Sequence, residues 1–419
     1  MVGRESCRPF GYRLATLNSA QEMSLFVSNL TTPAHGIECQ RLSTPRQRIA
    51  IFLPALAGGG AERAMVNLAG GFVRRGVAVD MVLGVVEGPY LADLDPEVRV
   101  LGLGAVGAVA KTRALVRYLK RERPLAVISA LDNINLAAIA RRIAGVNTRV
   151  VINVQNNLSA DLASLRGFKG WMRRRMMRVC YPMADVLTCV SSGVADDLAA
   201  TVRLAHGQAK VVYNPVQTEQ IEQLADEPVA HPWLNDANVP LLLAVGRLTK
   251  QKDYPTLVRA FAKLVASRQA RLMILGEGED RHSLQRLVDS LSLTQHVELH
   301  GFVKNPYAYM SRASVFVMSS AWEGLPTVMI EAMACGAAVV STDCPSGPHE
   351  ILDGGRYGSL VPVGDADALA AALAVALDEP HARGLSLVRA SEFTAEKAVE
   401  KYLKLFGIGS ASSEIGPYS

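Results

Sequence analysis

Short apolar runs separated by amphipathic stretches recur along most of the chain. Ile49–Leu53, Val77–Leu83, Val98–Leu103, Leu125–Ser129, Val150–Val154, Val186–Val190 and Val211–Tyr213 read as strands. Between most of them apolar positions return with a helical period, as in Ala61–Arg75 and Lys111–Arg121. Strands without polar alternation are covered on both faces, so the pattern predicts a parallel sheet flanked by helices. Gln217–Asn238 is polar, carries Pro228, Pro232 and Trp233, and reads as a linker. The alternation then restarts with Leu241–Val245, Leu272–Leu275, Val297–Leu299, Val315–Met318, Ala338–Ser341 and Leu360–Val363. The fold class predicted is α/β, with two Rossmann-like doubly wound domains facing a cleft. Ligands of such sheets bind at the carboxyl ends of the strands. Residues 1–47 lack a lasting period and are expected to be a flexible N-terminal extension. The domains are placed at 48–220 and 238–390, and 391–407 is expected to be a helix packing back on the body through Ala398, Tyr402, Leu403 and Phe406.

Composition supports a folded enzyme-sized protein: 419 residues, 49% hydrophobic and 20% charged. No apolar run is long enough to predict a transmembrane helix, and no secretory leader is expected. Six scattered cysteines without a C-x-x-C pair suit buried free thiols in a reducing compartment. The net charge is +5, and residues 1–236 hold 27 of the 44 Lys and Arg. A basic first half suggests an anionic partner, a lipid surface or a phosphate-bearing molecule, or else only a soluble charged surface.

The most informative segment is Ser319–Gly336, SSAWEGLPTVMIEAMACG. A strand ends at Ser319, Gly324 and Pro326 make a turn, and a helix starts near Pro326. Its free N–H groups suit a diphosphate. Glu323 and Glu331, with seven residues between them, could accept hydrogen bonds from hydroxyls on either side of that phosphate. Either glutamate alone would more often be an ordinary helix acid. Val245–Phe261 places Gly246, Arg247, Lys250 and Lys252 beyond a strand, where cations can neutralise a leaving diphosphate. Leu53–Arg63, LPALAGGGAER, is a glycine-rich strand-to-helix turn that lets backbone approach a ligand. A dinucleotide fingerprint is incomplete there: Gly58 and Gly60 fit, Arg63 replaces the third glycine, and Asp80 stands where a ribose-binding acid would.

Three further features bear on metals and membranes. The D-x-D triplets Asp93–Asp95 and Asp365–Asp367 read as a polar turn and a helix N-cap rather than metal ligands. The histidines, including His349 in SGPHEIL, show no ligand spacing, so no metal or cofactor is expected. Gly167–Pro182 combines Trp171, Met172, Met176 and Val179 with Lys169, Arg173, Arg174, Arg175 and Arg178. It reads as a helix for an anionic membrane surface, or as a core helix packing its methionines inward.

GGGAER, GRLTKQKDYPTLVRAF, LGEGEDRHSLQRL and EGLPTVMIEAMACGAAVVSTDCPSGPHEIL together resemble glycosyltransferase family 4, over about residues 48–406. The GGGAER and SGPHEIL variants are similar to those of bacterial enzymes that build polysaccharide or lipid-linked oligosaccharide. The resemblance implies a GT-B fold with an acceptor-binding first domain and a donor-binding second one. It implies that Arg247 and Lys252 hold the diphosphate, with Gly246 at the strand end. Glu323 would contact sugar hydroxyls, Gly324 and Leu325 would lie near the phosphate, and Glu331 would hold the ribose. Gly276 and Glu277 would line the nucleotide pocket, Val303 would lie near the base, and Gly59 and Gly60 would approach from across the cleft. Many members carry a histidine after the fifth strand. Here the segment is NVQNNLS, leaving Asn156 or Asn157 for that place.

The function expected is retaining transfer of a hexosyl or N-acetylhexosaminyl group from a nucleoside-diphosphate sugar, a UDP-sugar by preference. The acceptor would be a glycan or polyprenyl-linked saccharide; no nucleic acid is expected as a partner. The place would be the cytoplasm, peripheral on the inner face of the membrane. The leaving diphosphate gains negative charge, so fixed cations are the main catalytic device. The alternatives are a regulatory protein that binds nucleotide sugar without transfer, or an epimerase on the same fold.

Overall fold

The structure is a computed structural model that describes residues 47–408, except 132–134, 164–166, 206, 237, 380–382 and the side chain of Lys169. The expected extension, 1–47, falls outside the described residues but for Gln47, as do Cys7 and Cys39.

Two parallel sheets form the body. The first contains β1 (Arg48–Leu53), β2 (Ala78–Leu83), β3 (Arg99–Gly102), β4 (Ala126–Ala130), β5 (Arg149–Val154), β6 (Val186–Cys189) and β7 (Ala209–Val211), in the order β3-β2-β1-β4-β5-β6-β7. The second contains β8 (Leu241–Val245), β9 (Arg271–Leu275), β10 (Val297–Gly301), β11 (Val315–Met318), β12 (Ala338–Thr342) and β13 (Ser359–Val361), in the order β10-β9-β8-β11-β12-β13. Both are Rossmann-like, with all strand pairs parallel. In each, the order reverses beside the first strand, opening a crevice between β1 and β4 and another between β8 and β11. The central strands are buried throughout, which is why they read as unbroken apolar runs.

The segment 217–238 is more ordered than a linker: it holds helices Thr218–Ala225 and Pro232–Asn235, the first burying Ile221 and Ala225. The last helix, Ala395–Phe406, returns to the first sheet. Tyr402 and Phe406 pack on Phe72 with ring centroids 6.2 and 6.1 Å away. Gly71 permits this approach, since a Cβ there would lie 2.6 Å from Val399 Cγ2. The Tyr402 hydroxyl accepts from buried Asn153 Nδ2 at 2.8 Å.

Asp80 is fully buried within β2 and accepts from Arg99 at 2.9 and 2.7 Å, from the Tyr118 hydroxyl at 2.7 Å and from Arg48. It is a structural carboxylate with its oxygens occupied, which removes the ribose-binding role a dinucleotide reading would give it. Asp365 caps helix Ala366–Asp378 by accepting from Asp367 and Ala368 N–H. Asp95 accepts from Glu97 N–H, as a turn residue does. Cys180, Cys189, Cys335 and Cys344 are buried free thiols, and burial pushes those of Cys189, Cys335 and Cys344 up to about 12.

Candidate active site

The crevice of the second sheet is built by backbone laced to backbone. Leu248 N–H donates to Glu277 O at 2.9 Å, and Asp280 N–H to Leu248 O at 3.0 Å. A Cβ on Gly276, whose φ is +140°, would lie 2.1 Å from Gly246 O; one on Gly278 would lie 2.2 Å from Leu248 O. The glycines of LGEGED therefore let the loops after β8 and β9 touch.

The loop after β8 is also clasped to the loop after β11. Ser319 Oγ donates to Lys252 O at 2.8 Å, Ala321 N–H to Gln251 O at 2.8 Å, and Gln251 Nε2 to Trp322 O at 2.9 Å. This brings Lys252 Nζ to 2.6 Å from Glu323 Oε1, with side chains 16% and 9% exposed. Glu323 also accepts from Ser320 Oγ at 2.7 Å and Gln251 Nε2 at 3.4 Å. Arg247 is exposed; its carbonyl accepts from Thr249 N–H at 2.9 Å, and its guanidinium has no hydrogen-bond or ion-pair partner among the described residues. The two cations thus differ: Lys252 is held by a buried carboxylate, and Arg247 is free to meet an anion.

Helix Thr327–Ala334 starts after Pro326, and helix Gly60–Arg74 starts after Gly59. A Cβ on Gly60 would lie 3.3 Å from Thr327 Oγ1, so the two helix starts are neighbours across the cleft. Two positive helix ends side by side favour an anion between them. Glu331 stands in helix Thr327–Ala334. Burial pushes its carboxyl up to about 7, against the opposing pull of Arg63 from the first domain. Arg63 itself lies 4.3 Å over the Tyr90 ring and 3.5 Å from Asp93.

The domains meet through the EGLP and SGPHEIL turns. A Cβ on Gly324 would lie 2.0 Å from Gln155 O, and Ser191 Oγ donates to Gly324 O at 2.8 Å. Glu350 accepts from Ser192 N–H at 2.8 Å, Ser192 Oγ at 2.6 Å and the Tyr213 hydroxyl at 2.7 Å. Sequence reasoning missed Gln155, Ser191, Tyr213 and Glu350; each meets its partner only after both domains fold. Leu325 is buried beside this contact. Asn157 accepts from Ser159 Oγ and Ala160 N–H and donates to Ser346 Oγ of the second domain at 3.4 Å, whereas Asn156 is exposed.

Glu277 accepts from Leu248 N–H through its carbonyl, and its side chain pairs with Arg281 at 2.8 Å. One candidate stands apart. Val303 lines a surface cavity of about 410 Å³ with Tyr309 and the linker residues Glu227–Ala230; Arg247, Lys252, Glu323 and Glu331 do not line it. His349 is exposed, 3.3 Å from Asp343.

Helix Phe168–Cys180 turns Met177 and Cys180 inward, whereas Trp171, Met172 and Val179 are exposed with Arg174 and Arg175. Its methionines thus do not all enter the core: Phe168 and Trp171 stack outside at 5.6 Å, and Arg175 lies 6.0 Å over the Trp171 ring. Among the described residues no helix is long and apolar enough to cross a membrane.

Residues 230–390 match the family model described as glycosyl transferases group 1, and residues 58–220 the one described as glycosyltransferase family 4. The chain is 30% identical over 373 residues to the N-acetylgalactosamine-N,N'-diacetylbacillosaminyl-diphospho-undecaprenol 4-alpha-N-acetylgalactosaminyltransferase of Campylobacter jejuni, covering 85% of this chain and 99% of that one. It is 29% identical over 374 residues to a GalNAc-alpha-(1->4)-GalNAc-alpha-(1->3)-diNAcBac-PP-undecaprenol alpha-1,4-N-acetyl-D-galactosaminyltransferase of the same organism, covering 85% and 98%. Among solved structures, Anabaena HepE in complex with UDP and glucose superposes with a TM-score of 0.71 at 18% identity, covering 86% of this chain and 100% of that one. Sucrose-phosphate synthase from Thermosynechococcus elongatus superposes with a TM-score of 0.72 at 21% identity, covering 87% and 100%.

Proposed function

Since this chain belongs to the family 4 glycosyltransferases of the GT-B fold, we propose that it transfers a hexosyl or N-acetylhexosaminyl group, with retention, from a UDP-sugar to a polyprenyl-diphosphate-linked saccharide. The observation that carries this reading is the clasp between the loops after β8 and β11, which holds Lys252 against Glu323 ahead of the helix that starts beyond Pro326. The Campylobacter relatives, whose names give undecaprenol-diphosphate saccharides, support the acceptor class. The UDP complex of the Anabaena protein supports the nucleotide.

The chemistry follows from charge. As the sugar bond breaks, negative charge grows on the leaving diphosphate and positive charge on the anomeric carbon. Lys252, held by Glu323, and the N–H groups beyond Pro326 stabilise the first from positions fixed before the reaction begins, and Arg247 joins them from its exposed place. Gly59 and Gly60 bring a second helix start to the same anion from across the cleft. Glu323 holds Lys252 in place and lies where a sugar hydroxyl can donate to it. Glu331 accepts from the ribose in its ionised form. Gly276 and Glu277 shape the nucleotide pocket, and Asn156 faces the acceptor side. The exposed Trp171, Met172, Arg174 and Arg175 rest on the anionic inner surface of the membrane, where a lipid-linked acceptor resides.

The test is incubation of the purified protein with UDP-sugars, with and without a short polyprenyl-diphosphate disaccharide. Transfer to the lipid-linked acceptor supports the reading. Slow donor hydrolysis unaffected by any such acceptor would instead favour a nucleotide-sugar-binding protein.

A further inference from the structure

Outside the diphosphate crevice, the fold gathers two histidines and a glutamate that the sequence leaves scattered. We propose that His231, Glu298 and His300 bind one borderline-soft divalent cation of the zinc class, fastening the segment between the domains to the edge of the second sheet.

His231 Nε2 lies 3.0 Å from Glu298 Oε2, and His300 Nδ1 lies 2.7 Å from Glu298 Oε1. The three ligand atoms all fall within 4.8 Å of one another. A tetrahedral cation with bonds of about 2.0–2.2 Å sets its ligand atoms roughly 3.4 Å apart, so the two imidazole–carboxylate distances need open by only a few tenths of an ångström, while the two imidazole nitrogens stand within 4.8 Å of each other. Glu298 and His300 are two apart on β10, which puts both on one face of an edge strand. His231 stands at the entry to helix Pro232–Asn235. The side chains are 12%, 33% and 24% exposed, which leaves a cation access and a water to complete its shell.

Two imidazoles and a carboxylate select zinc-class ions over magnesium or calcium, which take oxygen ligands. The surroundings suit His300: when Nδ1 binds the cation, the ring carries its proton on Nε2, 3.3 Å from the Tyr309 hydroxyl, which can accept it. On His231, Nδ1 now accepts from Trp233 N–H at 3.2 Å. Binding through Nε2 moves that ring's proton to Nδ1 and gives up this one long hydrogen bond for a metal–nitrogen bond. The cation behind Trp233, Arg271, is paired with Asp236 at 3.0 Å. His300 precedes Gly301, whose carbonyl accepts from Gly276 N–H at 2.7 Å, so a bound ion would also brace the strand end that supports the Gly276 loop. No residue of the Arg247, Lys252 and Glu323 crevice takes part.

The full chain, stripped with chelator and desalted, is titrated with Zn²⁺ by calorimetry and with Co²⁺ by visible absorption. One equivalent is expected, with ligand-field bands of a nitrogen and oxygen site and none of the thiolate bands a cysteine site would add. Glu298→Gln and His300→Ala should weaken Zn²⁺ binding at least tenfold. Tyr309→Phe, which leaves the ligands in place, should weaken it by about tenfold. Metal-free melting of each variant separates lost binding from lost folding. Zn²⁺ binding equal in the wild type, Glu298→Gln and Tyr309→Phe would overturn the site, as would thiolate bands or no binding by the wild type.

Discussion

Lys252→Ala separates what the lysine does for the fold from what it does for the reaction. In the fold, the substitution takes from Glu323 a cation at 2.6 Å but leaves Ser320 Oγ at 2.7 Å and Gln251 Nε2 at 3.4 Å. A charge-assisted bond lost with two donors remaining should cost about 2 kcal/mol, less than the full penalty of a stranded buried charge. In the reaction, a fixed donor on the growing diphosphate charge is worth roughly 3 kcal/mol, about a hundredfold in kcat. The double variant Lys252→Ala/Glu323→Gln removes both charges. Its melting temperature should recover at least half of the loss, because the stranded carboxylate is gone. Its kcat should not recover at all. Thermal melts and steady-state kinetics on the two single variants and the double one form the assay. If kcat rises in step with stability in the double variant, or if Lys252→Ala keeps near-normal kcat, the lysine only holds the loop and the diphosphate reasoning is refuted.

Three other outcomes follow from features of the structure. Burial raises the Glu331 carboxyl from an ordinary 4.5 to about 7, so it binds its proton more tightly folded than unfolded. Its contribution to stability is therefore complete below about 4.5 and is lost as pH rises through 7. Donor affinity runs the other way, because the ribose needs the ionised form: UDP affinity by calorimetry should fall as pH drops below 7, and Glu331→Gln should flatten that dependence. Gly324→Ala would place a Cβ 2.0 Å from Gln155 O, so the cleft cannot close as observed; small-angle scattering should show a more open particle, and activity should fall sharply at unchanged melting temperature. Trp171→Ala with Arg174→Ser and Arg175→Ser should abolish co-sedimentation with anionic vesicles at low salt while leaving turnover of a water-soluble acceptor analogue intact.

The sheets were legible because strands buried on both faces leave unbroken apolar runs, and β8 and β11 match the sequence reading residue for residue. The helix start beyond Pro326 was legible for the same kind of local reason. What the sequence hid depends on approach between distant segments. Lys252 and Glu323 were read as separate candidates, and only the clasp between two strand-end loops reveals them as a pair. Asp80 stood at a plausible spacing for ribose, yet Arg48, Arg99 and Tyr118 reach it from three different elements. In helix Phe168–Cys180 the periodicity set Met172, Met176 and Val179 on one side; the core takes Met177 instead, and Met172 and Val179 are exposed. His231 and His300 lie far apart in sequence, and neither neighbourhood resembles a ligand motif.

The central claim is retaining transfer from a nucleotide sugar held in the second crevice, and the anomeric configuration of the product tests it most directly. Product made from an α-configured UDP-sugar is isolated from a short polyprenyl-diphosphate saccharide and the new linkage is assigned by proton NMR. An α linkage, with one UDP released per sugar transferred, is the expected result. A β linkage would contradict the account, because it would mean transfer with inversion rather than the proposed retention.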